Sequence, residues 1–516
     1  MRYRWLFQES EESFINQILN KRGIDKSVYS SKLEDIPQEN LLADMDKASD
    51  RVISALYGNE KIVIFGHDDP DGVTATYLIF DFLEKCGFQN HYYYIPNRLV
   101  DHHGIQDNLV EFLKETGAKL LITVDNGISS KEKIDIITEL GIDVIVTDHH
   151  LFQQKNIPQC YAVVNPKRED CTYPYTMLAG VGVSLMLVRA IAAKINKEVK
   201  ASYYFWCAVG SIADRVPMTG VNWTLVRHVL DNWDDMVDDT IIFLKSVCNP
   251  IITTYDKINF LNYCYRLIAN GRANEGIHHG LRFLITEGRE KYTEFGIIQT
   301  EKKGMEKKIS HLNVIIAEIM KANDNSGVVY FDEEDRIPYP LLGTCATFLV
   351  NNLHEPVVML KPKGDTILCE ARCSDGFSVL EAFAHCESAL IQYGGHVRAG
   401  GFTMKPENLE LFIKLYKEYF QLKKSVIREN QFLEADATLK VSDINKDIWN
   451  DLDFMLPFGQ ENSEPVIMIK GFNAAKVDKT INIEYNQHKL KSSVTYDLMV
   501  QICHNGSMKV LDIKGE

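Results

Sequence analysis

Four short clusters of aspartate and histidine carry the side chains best suited to chemistry. The first is His67-Asp68-Asp69-Pro70-Asp71-Gly72, and the second is Asp125-Asn126-Gly127. The third is Asp148-His149-His150, and the fourth is Asp214, within Gly210-Ser-Ile-Ala-Asp-Arg-Val-Pro217. Carboxylates brought together repel one another, and without cations several would have to stay protonated. Divalent cations resolve that conflict. A mixture of His and Asp with no thiolate suits Mn²⁺ or Mg²⁺ better than a structural zinc. Two ions about 4 Å apart that share one carboxylate suit in-line attack of water on a phosphodiester. Each cluster also has a plainer reading. Asp125-Asn-Gly reads as a turn, Asp214 as a helix cap, and the His149-His150 pair as surface or satisfied core. Their order along the chain, and the strands that precede three of them, favour a joint metal site.

Those strands must position the clusters. Lys61-Ile-Val-Ile-Phe-Gly66, Lys119-Leu-Leu-Ile-Thr-Val124 and Asp143-Val-Ile-Val-Thr147 are short apolar runs, and amphipathic stretches at 73–86, 105–116 and 131–140 separate them. Such runs indicate a parallel sheet covered on both faces, with ligands bound outside the carboxyl ends of its strands. The pattern predicts a doubly wound α/β domain over residues 46–245, after a charged, helical lead-in at 1–45. Residues 246–340 read as a helical linker, with Met305–Ala322 long enough to connect two domains. A smaller α/β segment is expected at 341–427. The stretch 430–516 has short β-like runs such as Val466-Ile-Met-Ile and Val510-Leu-Asp-Ile, and it suggests a small barrel. A second Asp-His-His, with His102 and His103, follows Ile95-Pro-Asn-Arg98 rather than an Ile/Val-rich strand, and reads as a loop.

With 516 residues the chain is too long for one core, and two to four domains are expected. The charge balance, 56 Lys and Arg against 71 Asp and Glu, gives a net −15. That excludes coating of nucleic acid by bulk attraction but leaves room for a local basic groove. The chain shows no apolar run of the roughly 18 residues a membrane span needs, and its start lacks a signal peptide's apolar stretch. Eleven dispersed cysteines with no Cys-x-x-Cys pair predict reduced thiols in a cytoplasm.

Asp148-His149-His150, together with the other three clusters, resembles the DHH phosphoesterase superfamily. Within it the chain is similar to the RecJ-like branch over nearly its whole length. Ala179-Gly-Val-Gly182 matches a Gly-rich helix start, and Arg266-Leu-Ile-Ala-Asn-Gly-Arg272 an Arg…Gly-Arg segment. Leu342-Gly-Thr-Cys-Ala346, Glu370-Ala-Arg-Cys-Ser374 and Gly394-Gly-His-Val-Arg-Ala-Gly-Gly401 fall where the associated domain has its motifs. Leu456-Pro-Phe-Gly-Gln-Glu-Asn462 with Glu464-Pro465 is similar to the opening of a RecJ barrel. The sequence departs from the pattern at His67, where many members carry Asp, at His102-His103, where an aromatic loop is usual, and at Ile268, which replaces Asn.

The resemblance implies a doubly wound DHH domain, a connecting helix, a smaller α/β DHH-associated domain and a C-terminal OB-like barrel. It implies two Mn²⁺ or Mg²⁺ ions. His67, Asp69 and Asp71 are expected ligands, Asp125 the bridging ligand, and His149 and Asp214 the remainder of the second ion's set. His150 is expected to face the substrate phosphate, and Asp148 to buttress a histidine or to serve only as a strand-end turn residue. Gly394, Gly395 and His396 would meet a nucleotide phosphate, with Arg372, Ser374 and Arg398 beside them; Arg398 reads equally as a solvated arginine. Arg266 and Arg272 would line the strand's path or form surface salt bridges. Phe458, Phe472 and Tyr485 are candidate stacking platforms or core residues.

The function implied is an exonuclease that degrades single-stranded DNA from its 5′ end in repair and recombination. An alternative is a phosphodiesterase of short oligonucleotides or cyclic dinucleotides; residues 430–516 argue against it, because small-substrate branches end before such a segment. A third reading, a non-catalytic replication scaffold, conflicts with the complete ligand set. Expected partners are single-stranded nucleic acid, DNA favoured, and a single-strand-binding protein or helicase, with the chain itself a monomer.

Overall fold

The structure, a computed structural model, describes residues 3–96, 104–272, 277–322, 327–395, 397–429, 432–444, 447–473, 483–485, 494–503 and 507–515. The chain divides into two compact units. One comprises Gln8–Lys302 with Ala435–Glu516, and the other Met1–Phe7 with Lys303–Glu434.

The first unit is built on five parallel strands: β1 (Ile62–Phe65), β2 (His91–Tyr94), β3 (Leu120–Val124), β4 (Asp143–Thr147) and β5 (Ala162–Val164). Their spatial order is β2-β1-β3-β4-β5, so the order reverses between β1 and β3. Alternate side chains along each strand enter different cores. Ile62, Ile64, Ile122, Val124 and Val164 join the core beneath α1 (Met45–Tyr57), α2 (Pro70–Lys85), α5 (Gly180–Lys194) and α6 (Ala201–Asp214). Val63, Phe65, Leu121, Val144 and Val146 pack with α3 (Asp107–Thr116) and α4 (Lys131–Glu139) on the other face. Both faces are therefore buried, which is why these strands are apolar throughout. In register, Phe65 lies opposite Thr123, Val124 opposite Thr147, and Thr147 opposite Val164. The residues after each strand consequently emerge along one sheet edge.

The same unit continues through α7 (Gly220–Asp231), α8 (Thr254–Asn270) and α9 (His279–Ile285) into the first part of the long α10 (Gly288–Ala322), which from Lys303 on belongs to the second unit. It also contains the C-terminal sheet, β11-β12-β14-β15-β13 in spatial order, formed by β11 (Ala437–Lys440), β12 (Val466–Phe472), β13 (Ile483–Glu484), β14 (Tyr496–Ile502) and β15 (Met508–Gly515). This sheet is tied to the core of the parallel sheet. Leu456 is buried in that core, the Trp223 indole donates to the Met455 carbonyl at 3.2 Å, and Arg227 meets Asp453 at 3.0 Å.

The second unit contains a five-stranded sheet in the order β9-β10-β8-β7-β6: β6 (Val328–Phe331), β7 (Val357–Lys363), β8 (Thr366–Arg372), β9 (Leu390–Gly395) and β10 (Ala399–Met404). Helices α11 (Tyr339–Leu353), α12 (Val379–His385) and α13 (Leu409–Glu429) accompany them. Two expectations need correction. The lead-in is not simply helical, because Arg4–Leu6 forms a strand parallel to Phe432–Glu434. The stretch 246–340 is interrupted by β6, an edge strand whose Val328 is buried against α10 and α11 residues. Among the described residues, no helix is long and apolar enough to cross a membrane.

Candidate metal centre

The first cluster is a tight strand-to-helix turn. Asp69 caps α2, accepting the Gly72 N–H at 3.0 Å, and Pro70 opens the helix with its φ already suited to it. A Cβ on Gly72 would stand 2.4 Å from the His67 Cβ, so only glycine lets the turn close on His67. Asp125 follows β3 in left-handed backbone, φ 57°, and Gly127 has φ 106°. The Thr123 hydroxyl donates to the Asn126 carbonyl at 2.8 Å and pins that turn. Asp214 is the last residue of α6, a helix buried from Ser202 to Ser211 whose packing brings it to the sheet edge.

These turns bring all the expected ligands together. His67 Nδ1 lies 3.0 Å from Asp69 Oδ2 and 3.9 Å from Asp125 Oδ2. His149 Nε2 lies 3.1 Å from Asp125 Oδ1, 3.6 Å from Asp214 Oδ2 and 3.9 Å from Asp71 Oδ2. The potential ligand atoms form overlapping groups: His67 with Asp69 and Asp125, Asp71 with His149 and Asp214, and Asp125 with His149 and His150. Asp125 thus links the two sides.

His150 Nδ1 is 4.0 Å from Asp125 Oδ1, but that nitrogen is already engaged by Asp148 Oδ1 at 2.8 Å. Asp148 also accepts the backbone N–H groups of Ile128, His149 and His150. It therefore orients His150 and the tripeptide's own backbone.

The electrostatics are those of a crowded anionic pocket. Burial, and then the neighbouring carboxylates, push Asp71 and Asp125 well above the usual range. Burial and Asp69 raise Asp214 to about 6. Burial alone would also raise Asp69 and Asp148, but hydrogen bonds and charge from His67 and His150 outweigh it and hold both low. Burial pushes His149 down to about 4, which keeps its Nε2 lone pair available. The Asp148 hydrogen bond raises His150. Asp125 Oδ1 and His149 Nε2 are both buried and, though close, share no hydrogen bond. Two such atoms converging on one point fit a divalent cation, and the His/Asp donor set fits the same conclusion.

Backbone donors hold Asp71 in place. Gly180 and Val181 donate to its Oδ2 and Oδ1, each at 2.8 Å, from the N-terminus of α5. A Cβ on Gly180 would lie 2.5 Å from Asp125 Oδ1, which explains the glycine at this helix start. Sequence reading missed Asn165 and Lys167, which donate to the carbonyls of His150 and His149. They follow the three-residue β5, and the strand-end rule applied to so short a strand would have found them. It also missed His278, buried and 3.0 Å from the Asp68 carbonyl.

The other expected residues fare unevenly. Arg272 reaches this centre through Asp68, its Nε donating to that carbonyl at 3.1 Å. Arg266 is exposed and lies against Tyr265. In the second unit, Arg372 donates to Glu370 Oε2 at 2.9 Å and lies under Gly343, where a Cβ would be 2.6 Å from Nη2. Among the described residues the buried Ser374 hydroxyl has no hydrogen-bond partner. Gly395 has φ 136°, which L side chains avoid, and Gly394 precedes it at the end of edge strand β9. Arg398 is exposed and pairs with Asp375. His396, His102 and His103 lie outside the described residues. Of the three aromatics read as stacking platforms or core, Phe472 is core, its ring fully buried in the C-terminal sheet, while Phe458 and Tyr485 are partly buried against it.

A five-stranded parallel sheet with His/Asp clusters at its switch point defines the class, and family comparison agrees. Residues 61–210 match the DHH family, N-terminal domain, and residues 435–500 match the RecJ OB domain. The chain is thus similar to the DHH family in its parallel-sheet domain, and to the RecJ-like proteins over most of its length. It is 28% identical over 509 residues to the single-stranded-DNA-specific exonuclease RecJ of Bacillus subtilis, covering 92% of this chain and 62% of that one. It is 26% identical to the Escherichia coli protein of the same name, covering 82% and 77%. The crystal structure of Thermus thermophilus RecJ in complex with Mn²⁺ superimposes with a TM-score of 0.75 at 20% identity, covering 99% of this chain and 80% of that one.

Proposed function

We propose that this centre binds two Mn²⁺ or Mg²⁺ ions and hydrolyses phosphodiester bonds of single-stranded DNA from the 5′ end, as an exonuclease in repair and recombination. The observation that carries the reading is Asp125, whose carboxylate faces His67 with one oxygen and His149 with the other. The names of the curated relatives support the substrate, and the match to the RecJ OB domain supports single-strand binding. Ions bound here supply charge neutralisation and a water of lowered pKa.

The chain's own residues do the rest. His67 and Asp69 would hold one ion and Asp71, His149 and Asp214 the other, with Asp125 placed to serve both. The Asp148 carboxylate that accepts His150 Nδ1–H favours the protonated ring, and in that form His150 also carries Nε2–H, which donates to a phosphate oxygen. In the second unit, Arg372, Ser374, Gly394, Gly395 and His396 form the nucleotide-phosphate part of this reading. Arg398 joins them if its pair with Asp375 opens. All eleven cysteines are free, which supports a cytoplasmic setting. A single-strand-binding protein or helicase as partner, and a monomeric state, rest on the RecJ-like resemblance.

The test is digestion of end-labelled single-stranded DNA and RNA, each blocked at one end, with Mn²⁺ or Mg²⁺. Mononucleotide release from DNA with a free 5′ end is the expected result. Activity only on dinucleotides or cyclic dinucleotides would replace this reading with the small-substrate one. No activity with either ion would leave the scaffold.

A further inference from the structure

His278 lies outside every motif described above. It is buried at 6% exposure and caps α9, its Nδ1 accepting the Leu281 N–H at 3.2 Å. An imidazole nitrogen that accepts from an N–H carries no proton, so the proton sits on Nε2. Nε2 stands 3.0 Å from the Asp68 carbonyl oxygen and donates to it. Arg272 Nε donates to the same oxygen at 3.1 Å. Both lone pairs of that carbonyl are thereby engaged, by donors about 200 residues away in sequence.

Two glycines permit the approach. A Cβ on Gly271 would lie 2.2 Å from the Gly280 nitrogen, and one on Gly280 would lie 2.9 Å from His278 Cε1. Burial pushes His278 down to about 4, so the neutral tautomer persists at neutral pH.

The Asp68 carbonyl belongs to the peptide that leads from His67 to Asp69. Fixing its plane fixes how those two side chains approach each other and Asp125. We infer that His278, with Arg272, is a positioning residue for the His67–Asp69 turn, holding the Asp68 carbonyl so that this side of the centre keeps the geometry a divalent cation needs. The inference rests on the metal reading above. His278 is not among the clustered ligand atoms of the described residues, so it acts through Asp68. Arg272 thereby acquires a role other than lining the strand's path.

The test is Mn²⁺ binding to the full chain, followed by the electron paramagnetic resonance signal of free Mn²⁺, with thermal midpoints measured alongside. His278→Asn places an amide oxygen near the old Nδ1, keeping the cap, but does not reach Asp68. His278→Gln places an amide N–H near the old Nε2. The Asn variant is expected to bind Mn²⁺ about 10- to 100-fold more weakly with a near-normal midpoint. The Gln variant is expected to recover most of the affinity. Asn binding as tightly as wild type, or a folded Gln variant as weak as Asn, overturns the inference. If the Asn variant does not fold, Arg272→Met reads the same carbonyl from its other donor, and unchanged Mn²⁺ affinity there overturns the clamp. A folded wild-type chain that binds no Mn²⁺ overturns the metal reading itself, a result distinct from either variant outcome.

Discussion

Asp125 carries more of the proposed chemistry than any other residue, because its two oxygens face opposite sides of the centre. Asp125→Asn keeps the side chain's size and removes its charge. It is expected to lose bound Mn²⁺ and to slow hydrolysis more than tenfold, over about 1.4 kcal/mol of barrier. Metal analysis of the purified variant, with single-turnover cleavage, checks both; full metal content at full rate would remove Asp125 as the bridge. Gly180 is tied to the same carboxylate by contact. The Cβ of Gly180→Ala would lie 2.5 Å from both Asp125 Cβ and Asp125 Oδ1, so Asp125 or the helix start must shift. Overpacking of this kind costs about 1–3 kcal/mol. A lower thermal midpoint together with weaker Mn²⁺ binding is expected, and a wild-type Mn²⁺ titration would show that the contact relaxes without cost.

At the scale of elements, parallel register decides which residues meet. The aligned carboxyl ends of β1, β3, β4 and β5 place His67, Asp125, His149 and Asn165 on one edge, while α6 delivers Asp214 and α5 offers its first N–H groups to Asp71. The helix start is thus part of the centre, because free N–H groups at a helix N-terminus favour a carboxylate. The C-terminal sheet shows the opposite case, an aromatic with no access to ligand. Phe472→Ala is expected to destabilise that sheet by about 3–5 kcal/mol, whereas Tyr485→Ala, at a partly buried ring, costs less. Urea unfolding midpoints separate the two. Loss of single-strand binding by Phe472→Ala at unchanged stability would restore the stacking role.

For the molecule as a whole, folding concentrates carboxylates that the unfolded chain keeps apart. Asp214 titrates at about 6 in the fold against an ordinary 3.8, and Asp71 and Asp125 move in the same direction. A raised folded value means that protonation favours the fold. The contribution is fully present below about 3.8 and is lost as pH rises through about 6. Metal-free chain, prepared with EDTA, should therefore show a thermal midpoint that falls across this window. Mn²⁺ at neutral pH should restore it, with roughly 2.7 kcal/mol expected at one hundred times the dissociation constant. A midpoint that ignores both pH and Mn²⁺ would mean that the carboxylates are not held together in solution.

Much of this centre was legible in the residues alone. Apolar runs of strand length, each ended by Asp or His, locate ligands at one sheet edge, because a strand buried on both faces must be apolar and its first exposed residues must follow it. Residue types then select a hard divalent cation. Tertiary structure decided what spacing cannot encode. That Asp71 is held by Gly180 and Val181 depends on helix packing across 109 and 110 residues of sequence. That His150 turns to Asp148 while His149 faces Asp125 depends on side-chain direction at the end of β4. That Phe472 is core, and that His278 grips Asp68, follows only once distant elements close upon one another. Local patterns are set by each segment's own backbone and burial, whereas these contacts exist only between segments, and their distances are set by how the elements pack.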